Sequence, residues 1–540
     1  MFKENKKHVQ KQLFSPANVL PERLQKILDK HWSTVFYEKI FCAIDEKDFE
    51  PIFSGLGRPN FPVNVLVSLE ILKELHAISD EQLYERFHFD YTFQRALGVE
   101  NIGEYAFAIR TLYYFRAAVA EYEAKEKTSL YRNIFNSDRD RIIQEIGLKT
   151  GVQRTDSTMI AANIKRMTRV SLFHKVFSNL LRELKSKNVV LSERYTDLLK
   201  DDEDGFSYRL AREKVEEALT HIGTLMREVI LDHKNGLTGT KAYEDALRLL
   251  DEQCTVESGK IKVKNSDDID SGSLQNPSDP DATFRTKRDQ NYHGYSAHAT
   301  ETCDPENPIQ IVTHVETVKN NVDDATVLQS AISEIKESTG VETFVVDGGY
   351  VSSGVRTECD SLNIDLVATA IRGHEQKENT FTSIDFPIDE KGLISNCPAG
   401  HRPIKRGIEA DGTLKATFEK SHCSVCPLRE RCIAYQSDGH GRITIDIHRR
   451  WLDERAVRMG TEAYATLCNL RPPVEGLMEK LKPKYLSGRT LFRGLVKVKS
   501  RMILKGIGLN FRRYHAWFLL FLNFFFPPCY ETSINQRYAA

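Results

Sequence analysis

Between residues 292 and 370 the chain sets short β-branched runs beside one helix-like segment, an order that constrains its fold more than any other feature. Strand-like runs fall at 292–299, 309–316, 342–347 and 364–370, and helical periodicity fills 324–338. Strands first, then strand and helix in alternation, require a mixed α/β core. A further β-branched run, Gly151-Val-Gln-Arg-Thr-Asp-Ser-Thr-Met159, is expected to add a strand. At 540 residues the chain exceeds one core and should divide into roughly three or four units.

The first of these, 1–145, reads as a helical N-terminal domain. Pro62 opens a helix with apolar Val63, Leu66, Leu69, Ile71, Leu72 and Leu75, and Ser79-Asp-Glu-Gln82 has the spacing of a capping box. Residues 146–375 hold the first part of the α/β core. Within them lie a charged helical insertion at 170–254, which could also be a separate lobe, and an acidic stretch at 264–282. That stretch loses apolar periodicity and carries no Lys or Arg from 265 to 281, the pattern of a linker or mobile loop. A Cys-rich segment spans 376–450, helical periodicity returns over 451–515, and an apolar tail occupies 516–540.

The tail's AWFLLFLNFFFPPCY run is interrupted by Asn523 and closed by Pro527-Pro528, too short to cross a bilayer. No signal-like core follows Met1-Phe-Lys-Glu-Asn-Lys-Lys7, so a soluble, cytoplasmic protein without a membrane partner is expected. Lys and Arg number 75 against 76 Asp and Glu, which excludes binding by bulk charge alone.

Three acids stand out by position. Asp156 lies in the expected strand at 151–159, Asp347 ends the Thr343-Phe-Val-Val346 run before Gly348-Gly349, and Glu475 begins a helix marked by Pro472-Pro473 and stopped by Pro483. Oxygen ligands without histidine suit Mg²⁺ or Mn²⁺, and two such ions could serve phosphodiester chemistry. Glu479, one turn beyond Glu475, is the rival third ligand.

Four of the ten cysteines fall between 397 and 432: Cys397, then Cys423-Ser-Val-Cys426, then Cys432. Four thiolates around a structural Zn²⁺ is the economical reading, with His401 and His422 as substitute ligands and reduced structural thiols as the alternative. From Lys480 to Arg513 there are eleven Lys or Arg and no acid. Arg489, Arg493, Lys497, Lys499 and Arg501, with Tyr485 and Phe492 interleaved, suit DNA backbone contact; the other reading is a solvated face.

These residues resemble a known family. Gly57-Arg-Pro-Asn-Phe-Pro62, Leu75-His-Ala-Ile-Ser-Asp-Glu-Gln-Leu83 and Phe93-Gln-Arg-Ala-Leu-Gly98 are similar to the InsH-type N-terminal domain of DDE transposases of bacterial insertion sequences. Thr155-Asp156-Ser157-Thr158, Ser278-Asp-Pro-Asp-Ala282 with His293-Gly-Tyr295 and His298, and Val346-Asp347-Gly-Gly-Tyr350 resemble that family's catalytic segments. Arg471, Glu475 and Lys482 reproduce the Arg-x3-Glu-x6-Lys part of its third motif, with Cys468 where the family has Tyr.

The resemblance implies a ribonuclease-H-like catalytic domain with a cysteine-bearing insertion. It also implies Mg²⁺ held by Asp156, Asp347 and Glu475, with Arg471 and Lys482 at the DNA. The expected activity is metal-dependent endonuclease cleavage and 3′-OH strand transfer on double-stranded DNA, at terminal inverted repeats and target, by a synaptic homodimer. A transposase-derived DNA-binding protein and a stand-alone ribonuclease-H-like nuclease are the alternatives.

Overall fold

The computed structural model describes residues 1–9, 20–99, 101, 103–196, 202–257, 259–287, 289–370, 379–484 and 488–525. Tyr485, Asp201 and residues 526–540 of the expected tail lie outside the described residues. The chain is mixed α/β and forms two compact units: 1–150, 156–323 and 475–540 in one, 151–155 and 324–474 in the other. Strand β1 (Val152–Ala161) is divided between them.

In the first unit the N-terminal part is helical, as expected. The helix Val63–His76 is apolar on nearly every side and buried throughout its first thirteen residues. It ends on Ala77 in the left-handed region, φ 51°. The next helix, Asp80–Phe89, starts with the capping box: Gln82 N donates to Ser79 Oγ at 3.2 Å, and Ser79 N to Gln82 Oε1 at 3.0 Å. The helices Ile109–Glu126 and Leu130–Ile146 follow.

The 170–254 stretch builds its own core. The helices Arg169–Ser186, Val215–Asp232 and Lys241–Gln253 bury Phe173, Phe177, Leu181, Met226, Val229 and Leu249 in one cluster. A hairpin of β2 (Cys254–Glu257) and β3 (Lys260–Val263) closes it. The acidic stretch after it is no linker. Asp279 has no exposed surface and accepts from the Tyr295 hydroxyl and from Gly494 N, whereas residues 265–268 are exposed.

Strand β4 (Thr283–Lys287) pairs antiparallel with β5 (Gln290–Thr302), which pairs antiparallel with β6 (Val312–Lys319). Gly294, at φ 143°, lets β5 pass β1 closely: a Cβ there would stand 2.2 Å from Ile160 O, and Ala162 N donates to His293 O at 3.0 Å.

The helix Leu495–Phe525 packs on β6 and on the helices Val63–His76 and Leu130–Ile146. It runs through residue 515, so no boundary separates 516–525 from the preceding segment. Its Asn510 mimics a peptide group on β6, accepting from Val312 N at 2.7 Å and donating to Val312 O at 2.8 Å. A Cβ at Gly506 would come within 2.9 Å of Phe135 and 3.0 Å of Val315, so glycine permits the close approach.

In the second unit, residues 152–154 of β1 run parallel with β7 (Thr343–Val346), and β7 parallel with β8 (Asp365–Ala368). The helices Asp324–Thr339 and Ser353–Ser361 bury Leu328, Ile332, Ile335 and Val355 with Phe344 and Leu366. A separate three-stranded antiparallel sheet, in the order β11 (Gly441–Ile445), β10 (Leu414–Phe418), β9 (Lys405–Ile408), encloses Phe386, Ile394, Phe418 and Ile443. The helices Ile447–Met459 and Glu462–Cys468 complete the unit.

Candidate active site

Asp347 follows the last residue of β7 and caps the turn Gly348–Tyr350, accepting from Gly349 N at 3.3 Å. The turn is tight: a Cβ on Gly348 would stand 2.6 Å from Ala370 O. The other carboxylate oxygen faces Arg471, with Nη2 3.9 Å from Oδ2. Asp347 and Arg471 thus meet within the second unit although they come from different motifs.

Asp156 lies in the part of β1 that belongs to the first unit, half-buried, with Oδ1 accepting from Ser157 N at 2.8 Å. Glu475 belongs to the same unit and sits in the first turn of the helix Val474–Leu481. That helix buries Val474, Leu477, Met478 and Leu481 and presents Glu475 to solvent, where it forms no ion pair among the described residues. An acid in a first helical turn is favoured by the helix dipole.

The helix stops at Leu481 ahead of Pro483, and the exposed Lys482 pairs with Glu479, with Nζ 2.8 Å from Oε2. The hydrogen bond from Lys482 draws the Glu479 carboxyl below its ordinary range.

The basic segment divides into two kinds of residue. Arg489, Arg493 and Lys497 are exposed and form no ion pair among the described residues. Residue 489 bridges to Ala161 at the end of β1, and Arg493 Nε donates to Asn163 O at 3.2 Å. Lys499 and Arg501 do not share this surface. Lys499 pairs with Glu316 at 2.7 Å, while Arg501 is buried, ion-paired to Glu70 and stacked 4.3 Å from the Phe492 ring centre. Arg501 is a correction to the expected DNA contacts, because the helix Leu495–Phe525 turns this position inward, whereas Lys499 stays partly exposed.

Around Arg501 lies a charged network that sequence inspection missed. Arg116 pairs with Glu70 at 2.7 Å and with Asp80 at 2.6 Å, and the fully buried Lys73 reaches Asp80 at 2.8 Å. Burial alone would raise the Asp80 carboxyl, but hydrogen bonds and charge from Arg116 and Lys73 hold it well below the carboxylate range. The signal was present: charges at Glu70, Lys73 and Glu74 inside an otherwise apolar helix must find partners.

Cys397, Cys423, Cys426 and Cys432 line one cavity with His401 and His422, whose rings stack at 4.4 Å. Gly441 leaves room for the Cys423 thiol, since a Cβ there would stand 2.8 Å from its Sγ. Burial, with the neighbouring thiols adding to it, pushes Cys423 and Cys432 above the usual thiol range. None of the four forms a disulfide. Among the described residues, no three His, Cys, Asp or Glu side chains stand closely enough to hold a metal ion as placed. Among them, too, no helix is long and apolar enough to cross a membrane.

No curated protein and no solved structure matches the chain. Two family models do. A transposase domain (DUF772) matches residues 22–118, the N-terminal helices, and a transposase DDE domain matches residues 396–515, which include the four cysteines, Arg471 and Glu475. Asp156 and Asp347 lie outside both ranges. The two matches make the chain similar to transposases at both its N-terminal helices and its C-terminal part, and are consistent with a DDE transposase of insertion-sequence type.

Proposed function

We propose that the chain binds the terminal inverted repeats of its own element, cleaves the DNA at the element's 3′ end and joins the freed 3′-OH to target DNA. The observation that carries this reading is the approach of Arg471 to Asp347 at 3.9 Å, which ties the second acid motif to the motif bearing Glu475. The antiparallel pairing of β5 with β6, and the parallel pairing of β1 with β7 and of β7 with β8, support a ribonuclease-H-like core.

The donor chemistry fits a hard divalent cation, because Asp156, Asp347 and Glu475 offer oxygen alone. These three would hold two Mg²⁺ or Mn²⁺ ions, which when bound stabilise charge on the attacking and leaving oxygens. The protein's own side chains do the positioning. Arg471 orients Asp347, and Lys482, Arg489, Arg493 and Lys497 neutralise phosphates of the bound strand.

Cleavage exchanges one P–O bond for a bond to water and leaves the 3′-OH. Strand transfer breaks one target P–O bond as it forms another, so neither ATP nor a covalent enzyme link is required. What the protein supplies is alignment and charge. A homodimer would hold two ends together. The four cysteines, on this reading, close around a structural Zn²⁺ by side-chain rotation into the cavity they line.

The test is purified protein with duplex DNA carrying an element end, in Mg²⁺. Nicking at the 3′ end followed by joining to target is the expected result. Binding without cleavage would point to a DNA-binding derivative, and cleavage without joining to a stand-alone nuclease.

A further inference from the structure

One cavity of the first unit is lined by cations that no role above uses. Lys480, Lys484, Lys505 and Arg512 face it, beside Glu74 and the chain around Ala77. Two of the four are fixed by backbone carbonyls. The buried Lys505 donates to Leu481 O and Lys482 O, both at 2.9 Å, capping the helix Val474–Leu481, and Arg512 donates to Leu75 O near the end of the helix Val63–His76.

The other two, Lys480 and Lys484, are exposed and form no ion pair among the described residues. The acids nearby are otherwise engaged. Glu301 takes Arg513 at 2.7 Å, and Glu74 stands 3.9 Å from Arg501. The imbalance registers on Lys480, whose ammonium is disfavoured first by burial and then by Arg513, Arg512 and Lys484, against the opposing pull of Glu301. Lys505 is likewise disfavoured by burial, against the pull of Glu74, and by Lys484. Like charges gathered at a cavity with too few acids are relieved by an anion.

We infer that this cavity is a phosphate-binding pocket, in which Lys480, Lys484 and Arg512 grip a backbone phosphate of the DNA strand running past Glu475. The inference rests on the transposase reading and extends it to residues that reading does not name. Position supports a backbone phosphate over a free anion. Lys480 lies on the helix that carries Glu475, five residues further on and about 7.5 Å along its axis. Contact there is to phosphate and should be blind to sequence.

The test is a salt titration of DNA binding by fluorescence anisotropy, with the full-length protein and its Lys480→Gln/Lys484→Gln variant. Both side chains are exposed, so an unchanged thermal midpoint is expected and shows that the variant folds. The slope of log K against log salt should shrink by about 0.9 per lost contact, hence by up to about 1.8. The loss should be equal on end-containing and unrelated duplexes. An unchanged slope, with wild-type binding intact, overturns the pocket and leaves the transposase reading standing. Salt-insensitive or absent binding by the wild type overturns both. Competition by inorganic phosphate at equal ionic strength, lost in the double variant, adds support; phosphate capture without a change in DNA slope makes the pocket a free-anion site and overturns the DNA assignment.

Discussion

The Tyr295 hydroxyl donates to Asp279 Oδ1 at 2.6 Å, deep inside the first unit. The same oxygen accepts from Gly494 N at 3.0 Å, and Asp281 Oδ2 accepts from Leu495 N at 2.9 Å. Two acids of a stretch that reads as a linker thus hold the start of the helix Leu495–Phe525, where unpaired N–H groups and the helix dipole both favour negative charge. Asp279→Ala strands a buried hydroxyl and a backbone N–H, and should cost about 2–4 kcal/mol. Asp281→Ala removes one cap and should cost about 1 kcal/mol. Denaturant unfolding of the two variants checks the ranking; equal midpoints would contradict it.

The Asp80 network makes stability acid-sensitive. Its carboxyl is held below the value it has in the unfolded chain, so its contribution is complete above the ordinary carboxylate range and is lost as pH falls through that range toward the folded value. Asp80→Asn leaves Arg116 and Lys73 short of a partner, at a cost of about 3–5 kcal/mol near neutral pH. The variant's melting temperature should fall less steeply than wild type between about pH 5 and pH 3. Parallel acid limbs would count against the network.

Within the basic segment, Arg493→Gln and Lys497→Gln should each weaken DNA binding on every sequence and reduce the salt slope by about 0.9. Arg501→Gln should lower the melting temperature, since Glu70 loses a buried partner, and leave the slope unchanged below the transition. A reduced slope for Arg501→Gln would restore it to the DNA surface.

The contrast between Arg493 and Arg501 shows what is legible in sequence. Elements governed by near neighbours were readable: the Ser79 to Gln82 cap, the helix at 324–339, the runs that become β7 and β8. The fate of a charge is set by distant partners. Arg501 reads as one cation in an acid-free run, yet its acids, Glu70 and Glu74, come from the N-terminal helix Val63–His76. Asp279 reads as part of an acidic linker because Tyr295 and Gly494 are invisible from its own segment. Lys482 follows the helix that carries Glu475, and its acidic partner, Glu479, comes from that helix's own last turn.

For the cysteines, zinc analysis of protein purified without chelators should find about one Zn²⁺ per chain. X-ray absorption should show four sulfur ligands at about 2.3 Å. Cys426→Ser should lower the zinc content and destabilise the sheet of β9 to β11. Zinc-free, fully folded protein would leave the four thiols as reduced cavity lining.

Asp156, Asp347 and Glu475 are the proposed metal-binding acids. The most direct measurement is single-turnover strand transfer with pre-cleaved element ends in Mg²⁺, comparing Asp156→Asn, Asp347→Asn, Glu475→Gln and Glu479→Gln at matched DNA occupancy. The first three substitutions should abolish joining while binding persists, and Glu479→Gln should retain it. Joining by any of the first three at the wild-type rate, or its loss in Glu479→Gln alone, would contradict the assignment.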